Sequence, residues 1–295
     1  MAPFFMLEKF LKYCIAEKRF SEHTVIAYEK DIIQFLEFSG VEQSSLKEVN
    51  SHLIRGWIVS LLEDDYTAVS VNRKISTLRT FFKWLLKEGK IEVDPMKSIS
   101  GPKVKKSLPS FAQQTELSNE KLEPVFTNDF EGVRDRLMFE ILYQTGIRSS
   151  ELIQLKLNDV QNEKIKVLGK RNKERFIPID KRLLELINTY VDFRTKIGFR
   201  SEFLLVLKSD KKLYPKFVYR KINDYLGKVT GLSKKSPHVL RHTFATHMLN
   251  NGAELEVLKD ILGHANLSAT QVYTHNSFTQ ITNIYSQSHP RGQKK

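Results

Sequence analysis

In HVLRHTFATHML, His238 and Arg241 stand three residues apart, which on a helix puts them on one face. Ser236 and Pro237 just ahead suit an N-cap and a first helical position. Both residues then lie in the first turns, where the positive end of the helix dipole favours an anion. An imidazole donor beside a guanidinium fork suits a phosphate or a carboxylate. In ILGHANLSATQVYTH, Gly263 closes a helix, His264 sits just past it, and Tyr273 follows nine residues later in a short helical stretch. In TGIRSSEL, Gly146 closes one helix and Ser149 caps the next, so Arg148 lies in a tight turn held on both sides, with Glu151 placed to pair with it. Lys170 sits at the tip of a basic turn, GKRNKER. Singly, each has a plainer use: a solvated His-x-x-Arg pair, a packing tyrosine, a surface arginine, a solvated turn.

These residues need elements to hold them. VRDRLMFEILYQ has helical periodicity and stops at Gly146. KIKVLGKRNKERFIPI reads as two short strands flanking the basic turn, a hairpin. Helices resume at KRLLELINTYVDF, PKFVYRKINDYL and SPHVLRHTFATHML. The first hundred or so residues read as four helices, the first near residues 4–18. Val25, Tyr28, Ile32, Phe35 and Leu36 share a face after an N-cap at Ser21. Leu53, Ile54, Trp57, Ile58, Leu61 and Leu62 form a second stripe, and Val71, Ile75, Leu78, Phe82 and Leu85 a third that ends at Gly89. Between the halves, DPMKSISGPKVKKSLPSF carries Pro95, Pro102 and Pro109 with Lys103, Lys105 and Lys106, a solvated break. The pattern predicts a mainly α fold with a small β-sheet. Its domains are residues 1–98 and 116–295, joined by a linker over 99–115.

Residues 1–295 suffice for two packed domains, and 41% apolar residues argue against disorder. A net charge of +13 favours a polyanion as partner, nucleic acid first and an anionic membrane surface second. Cys14 is the sole cysteine, which excludes an internal disulfide and fits a buried thiol in a reducing compartment. No run of about 18 apolar residues is present, so no transmembrane helix is expected. Charges interrupt the amino-terminal apolar stretch where a signal peptide needs continuity, which points to the cytoplasm. No Cys/His/carboxylate cluster has metal-ligand spacing, so no metal or other cofactor is expected.

Taken together, Arg-x-x-Glu, a basic hairpin, His-x-x-Arg-His, Leu-Gly-His and a tyrosine nine residues later resemble the signature of the tyrosine recombinase (phage integrase) family. TGIRSSELIQL, KVLGKRNKERFIPI, HVLRHTFATHMLNNGAELEVLKDILGHANLSATQVYTH and the terminal HPR resemble its Xer (XerC/XerD-like) subgroup. RFSEHTVIAYEKDIIQFLEF and NRKISTLRTFFKWLLKEGKIEVDP do so in the amino-terminal part. One departure is Arg171 after Lys170, where many relatives have glycine.

The resemblance implies an amino-terminal four-helix (SAM-like) core-binding domain and a carboxy-terminal mixed α+β catalytic domain that clamp DNA. It implies a catalytic set of Arg148, Lys170, His238, Arg241, His264 and Tyr273, with Glu151 orienting the base. Tyr273 would form a 3′-phosphotyrosyl link, Arg148 and Arg241 would bind the non-bridging oxygens, and Lys170 would protonate the departing 5′-oxygen. Lys103, Lys105, Lys106, Arg171, Lys173 and Arg175 are the expected DNA-binding residues. The implied work is site-specific recombination of double-stranded DNA, of the kind that resolves chromosome or plasmid dimers for partition at cell division. The implied assembly is a tetramer, of this chain or with a paralogous recombinase, with a DNA translocase as candidate activator. FTQITNIYSQSHPRGQKK is expected to dock on a neighbouring subunit. A phage or mobile-element integrase, a type IB topoisomerase and a DNA-binding regulator without catalysis are the rivals. A helical pattern starting almost at Met1 favours the Xer type over an integrase with an extra amino-terminal domain.

Overall fold

Ser21, Asn50 and Thr67 each precede an apolar run, and each starts a helix. Their side-chain oxygens accept first-turn backbone N–H groups: Ser21 from Thr24 at 3.3 Å, Asn50 from Leu53 at 3.0 Å and Thr67 from Ser70 at 3.3 Å. Each such cap contributes about 1 kcal/mol. The computed structural model describes residues 5–41, 43–104, 110–161, 163–169, 173–263 and 275–292, giving the backbone alone for 43–44 and 275–280. The chain divides into two units, Met1–Ser107 and Leu108–Lys295.

The first unit is built from α1 (Phe5–Ala16), α2 (Glu22–Ser39), α3 (Ser51–Glu63) and α4 (Ala68–Lys87), with a 3₁₀ turn at Gln43–Glu48. The expected stripes meet in one aromatic core, where Phe10 meets Phe81 edge-on at 5.1 Å and Phe35 meets Trp57 at 5.3 Å. Leu62 is the exception: Leu61 takes the inward position and leaves Leu62 exposed. Cys14 is buried, and burial pushes its thiol up to about 11, which makes it inert. A polar node pins α2 to α4. The buried Asp31 carboxylate accepts from Arg73 at 2.7 Å, Lys74 at 2.9 Å and Thr77 at 2.8 Å.

The second unit contains α5 (Asn119–Leu122), α6 (Phe130–Thr145), α7 (Ser149–Gln154), β1 (Val160–Gln161), β2 (Lys164–Leu168), β3 (Glu174–Pro178), α8 (Lys181–Ile197), α9 (Pro215–Val229), α10 (Pro237–Asn250), α11 (Leu255–Leu262) and α12 (His275–Ser288). α6 runs through its middle, buried on most sides, with α8 and α10 packed against it. Two of its buried carboxylates are partnered: Asp135 accepts from Tyr225 at 2.8 Å, and Glu140 pairs with Arg291 at 3.0 Å. The expected hairpin is the β2–β3 pair, antiparallel with Val167 opposite Arg175. The sheet has 3 strands in the order β1-β2-β3. β1 is too short for its alternation to show in the sequence.

Two segments show packing that the sequence did not specify. Packed chain extends into the segment expected as linker. Ile99 belongs to the first core, and Ala112 to the second, where its N–H donates to Thr243 at 3.0 Å. Part of the terminal segment expected to dock on a neighbouring subunit also packs on its own unit. Ile281, Tyr285 and His289 are buried there, and Tyr285 stacks on His289 at 5.1 Å.

Candidate active site

α6 stops at Gly146, whose φ of 61° is left-handed backbone that glycine adopts without strain. The turn is also crowded. A Cβ on Gly146 would stand 2.4 Å from Phe244 and 2.9 Å from Leu262, so α10 and α11 press directly on it. Two residues later Arg148, not Ser149, holds the N-cap position of α7. The cap is supplied from inside the helix, because the backbone N–H of Arg148 donates to Glu151 Oε2 at 2.8 Å. Its side chain returns to the same carboxylate, Nη1 to Oε1 at 3.1 Å, and stays partly exposed. Arg148 is therefore held at both ends of its residue, with the guanidinium facing outward.

Glu151 was expected to orient the histidine base. Its partners are arginines. Arg175 on β3 sends Nη1 to Oε1 at 3.0 Å and Nη2 to Oε2 at 2.9 Å, the planar fork-to-carboxylate match. Burial works to raise the Glu151 pKa, but the Arg175 hydrogen bonds and charge outweigh it and hold it below the ordinary carboxylate range. Arg175 was expected as a DNA-binding residue, and the structure places it inside the unit. Its side chain is 5% exposed, and Nε donates to the Ile261 carbonyl at 2.7 Å. β-strand alternation turns it inward with Ile177, and Glu151 supplies the counter-charge.

Arg241, in the second turn of α10, is half-buried. Nη1 donates to the Gly146 carbonyl at 2.6 Å and Nη2 to the Leu262 carbonyl at 2.9 Å. These are chain-end carbonyls of α6 and α11, which have no partner within their own helices. Burial first, and the neighbouring positive charge of Arg148 second, lower its pKa to about 10. It remains a cation at neutral pH. The mutual influence of two arginines, each positive, marks a local field suited to an anion.

His238 is exposed at the start of α10. It lines a cleft of about 650 Å³ whose walls include Ser149, Lys216, Tyr219 and Lys235. Ser149 directly follows Arg148, so His238 opens onto the same side of the unit as the Arg148 turn. The structure thus brings together Arg148, Glu151 and Arg241, with His238 at the adjoining cleft.

Lys170, Arg171, His264 and Tyr273 lie outside the described residues, as do Lys105 and Lys106. Their flanks are described. The Gly169 N–H donates to the Lys173 carbonyl at 2.8 Å. Gly263, with φ 66°, ends α11 immediately before His264. Lys103 and Lys173 are exposed.

Two further histidines escaped sequence reasoning. His247 joins Tyr143 Oη at 3.0 Å and the Ala112 carbonyl at 2.9 Å, and its pKa is lowered by burial. His289, from the terminal HPR, is fully buried, accepts the Arg291 N–H at Nδ1 at 3.1 Å, and is lowered by burial to about 3. Both serve packing around Tyr143. Their signal was faint: His247 sits on a helix face with no distinctive spacing, and His289 just past the end of α12.

Among the described residues no group of His, Cys, Asp or Glu could hold a metal ion, and no helix is long and apolar enough to cross a membrane.

Residues 116–280 match the phage integrase family, and residues 7–89 match the phage integrase N-terminal SAM-like domain. Tyrosine recombinase XerC of Staphylococcus carnosus (strain TM300) is 38% identical over 291 residues, covering 98% of each chain. Tyrosine recombinase XerC of Staphylococcus aureus (strain MSSA476) is 37% identical over 291 residues, 98% of this chain and 97% of that one. Among solved structures, the XerH site-specific recombinase bound to palindromic difH substrate in a post-cleavage complex aligns with a TM-score of 0.72 at 23% identity, over 95% of this chain and 83% of that one. A lambda integrase dimer bound to a COC′ core site aligns at 0.67 and 18% identity, over 98% and 78%. The two structural likenesses show a shared fold. The family match over the second unit, with relatives of this identity along nearly the whole length, settles the assignment: the chain belongs to the phage integrase family.

Proposed function

We propose that the chain is a site-specific tyrosine recombinase that cleaves and rejoins double-stranded DNA, acting as a multimer in the manner of its Xer relatives. The observation that carries this reading is the pair Arg148 and Arg241, fixed by Glu151, Gly146 and Leu262 beside the His238 cleft. A phosphodiester gains negative charge on in-line attack, and two pre-set guanidinium groups stabilise that build-up without reorganising. The reaction balances without a cofactor. The Tyr273 oxygen attacks phosphorus, the bond to the 5′-oxygen breaks, and the 3′-phosphate stays on the tyrosine. His238 takes the phenol proton, His264 donates a hydrogen bond to the phosphate, and Lys170 gives its proton to the 5′-oxygen. A 5′-hydroxyl of the partner duplex reverses the step, so the bond energy is kept. Four protomers serve the two duplexes. The resemblance to the Xer subgroup points to resolution of chromosome or plasmid dimers as the biological task, with a paralogous recombinase and a DNA translocase as candidate partners.

Sequencing DNA trapped as covalent adduct in cells gives the site. A nicked duplex carrying that site should then yield a covalent complex with the purified chain. Stable binding with no adduct would instead support the DNA-binding regulator. Lys170→Ala should be slow on ordinary DNA and largely rescued by a 5′-bridging phosphorothiolate, whose thiolate leaves without a proton. Arg148→Ala should not be rescued. Equal impairment of Lys170→Ala on both substrates would move the general acid elsewhere, with Lys173 next.

A further inference from the structure

The guanidinium of Arg175 touches three separate pieces of chain. It grips both oxygens of Glu151, at 3.0 and 2.9 Å, and Glu151 in turn holds the backbone and side chain of Arg148. Its Nε donates to the carbonyl of Ile261 at 2.7 Å, in the last turn of α11. Two glycines lie against it: a Cβ built on Gly169 or on Gly263 would each come within 3.2 Å of Nη1. Gly169 directly precedes Lys170, and Gly263 directly precedes His264. A side chain on either glycine would crowd the guanidinium.

We propose that Arg175 is a positioning residue, whose buried guanidinium sets the Arg148 turn, the Lys170 hairpin and the segment entering His264 in one mutual register. The inference rests on the recombinase reading. Arg175 touches no phosphate itself and acts through Glu151, Gly169 and Gly263. The choice of arginine follows from shape. Only a planar fork with a third donor at Nε can bind a carboxylate with two parallel bonds while reaching a carbonyl on another helix. A lysine in the same place supplies charge but one point of contact. Burial adds rigidity, because an unpaired charge inside the protein is strongly disfavoured and the pair therefore cannot drift apart.

The test uses the full chain with Arg175→Gln and Arg175→Lys, on a nicked duplex bearing the adduct-derived site. Thermal melting, DNA affinity and single-turnover adduct formation at saturating DNA are measured together. Both variants should bind with wild-type affinity. Arg175→Gln should cleave about 10²-fold slower, the loss expected when catalytic groups shift by about 1 Å. Arg175→Lys should fall between. On the 5′-bridging phosphorothiolate, Arg175→Gln should regain part of its rate, because one of the groups it misplaces is Lys170, while Arg148→Ala regains none. Wild-type cleavage by Arg175→Gln overturns the proposal, as does a fall in affinity that accounts for the whole loss. If Arg175→Gln melts below the assay temperature, Arg175→Lys decides: an equal deficit on both substrates overturns it and a smaller deficit on the sulfur substrate supports it. A wild-type chain that forms no adduct removes the recombinase reading first and this one with it.

Discussion

Arg241 donates from Nη1 to the carbonyl of Gly146 at 2.6 Å. Its other terminal nitrogen reaches Leu262 at 2.9 Å, so one side chain ties the turn before Arg148 to the turn before His264. Gly146 has left-handed backbone, and a Cβ there would collide with Phe244 and Leu262. Gly146→Ala should therefore destabilise the protein by more than about 2 kcal/mol, from left-handed strain plus overpacking. Urea denaturation should show a lower midpoint at unchanged slope. An unchanged midpoint would mean the turn relaxes freely and does not fix Arg148.

Arg241→Lys keeps a cation but cannot span both carbonyls and face a phosphate. Cleavage should fall by about 10²–10³, the range for losing one donor that stabilises charge in the transition state. DNA affinity, set by many backbone contacts, should change little. Wild-type cleavage rates in the variant would show that the two-carbonyl bridge is dispensable.

Stability should carry a signature of His289. Burial lowers its pKa from the ordinary 6.5 to about 3, so the folded chain keeps it neutral, accepting the Arg291 N–H at Nδ1. The unfolded chain takes up a proton below 6.5 that the folded chain refuses. Stability is thus fully present above that value and falls as pH drops towards about 3, by about 1.4 kcal/mol per pH unit from this group. Other groups titrate in the same window, so the comparison is between slopes. His289→Gln should show a shallower loss between pH 6 and pH 4 than the wild type. Parallel curves would place a charged His289 in the folded state.

DNA affinity should fall steeply between about 50 and 200 mM salt, because phosphate contacts release counterions. Lys103→Ala and Lys173→Ala, at exposed positions, should each lower the slope of log affinity against log salt by about 1. Arg175→Gln should leave the slope as it is. A flat dependence in the wild type would exclude broad backbone contact.

Much of this architecture is written locally. The N-cap at Ser21 and the stops at Gly146 and Gly263 come from residue types with one strong conformational use, so these helix ends follow from the sequence, whereas Ser149 yielded its expected cap to Arg148. Core faces follow from periodicity, with Leu62 misplaced because Leu61 takes the inward position at that turn of α3. What stays hidden is which polar groups face each other across the fold. Arg175 looks like one more cation in GKRNKER. The alternation of ERFIP, with Ile177 inward, places Arg175 on the buried side, but only Glu151, far away in sequence, makes that burial tolerable. Asp31 with Lys74, and Glu140 with Arg291, are the same kind of long-range pair. The terminal segment is ambiguous for a related reason: an amphipathic helix fits a neighbouring subunit and its own domain equally well. Within one chain, Tyr285 and His289 already have buried partners.

The most direct test of the account is Tyr273→Phe on the nicked suicide duplex. The substitution removes one oxygen and leaves the ring, so binding should match the wild type while the covalent protein–DNA complex disappears. Adduct at the wild-type level from Tyr273→Phe would contradict the account, because some other side chain would then be the nucleophile.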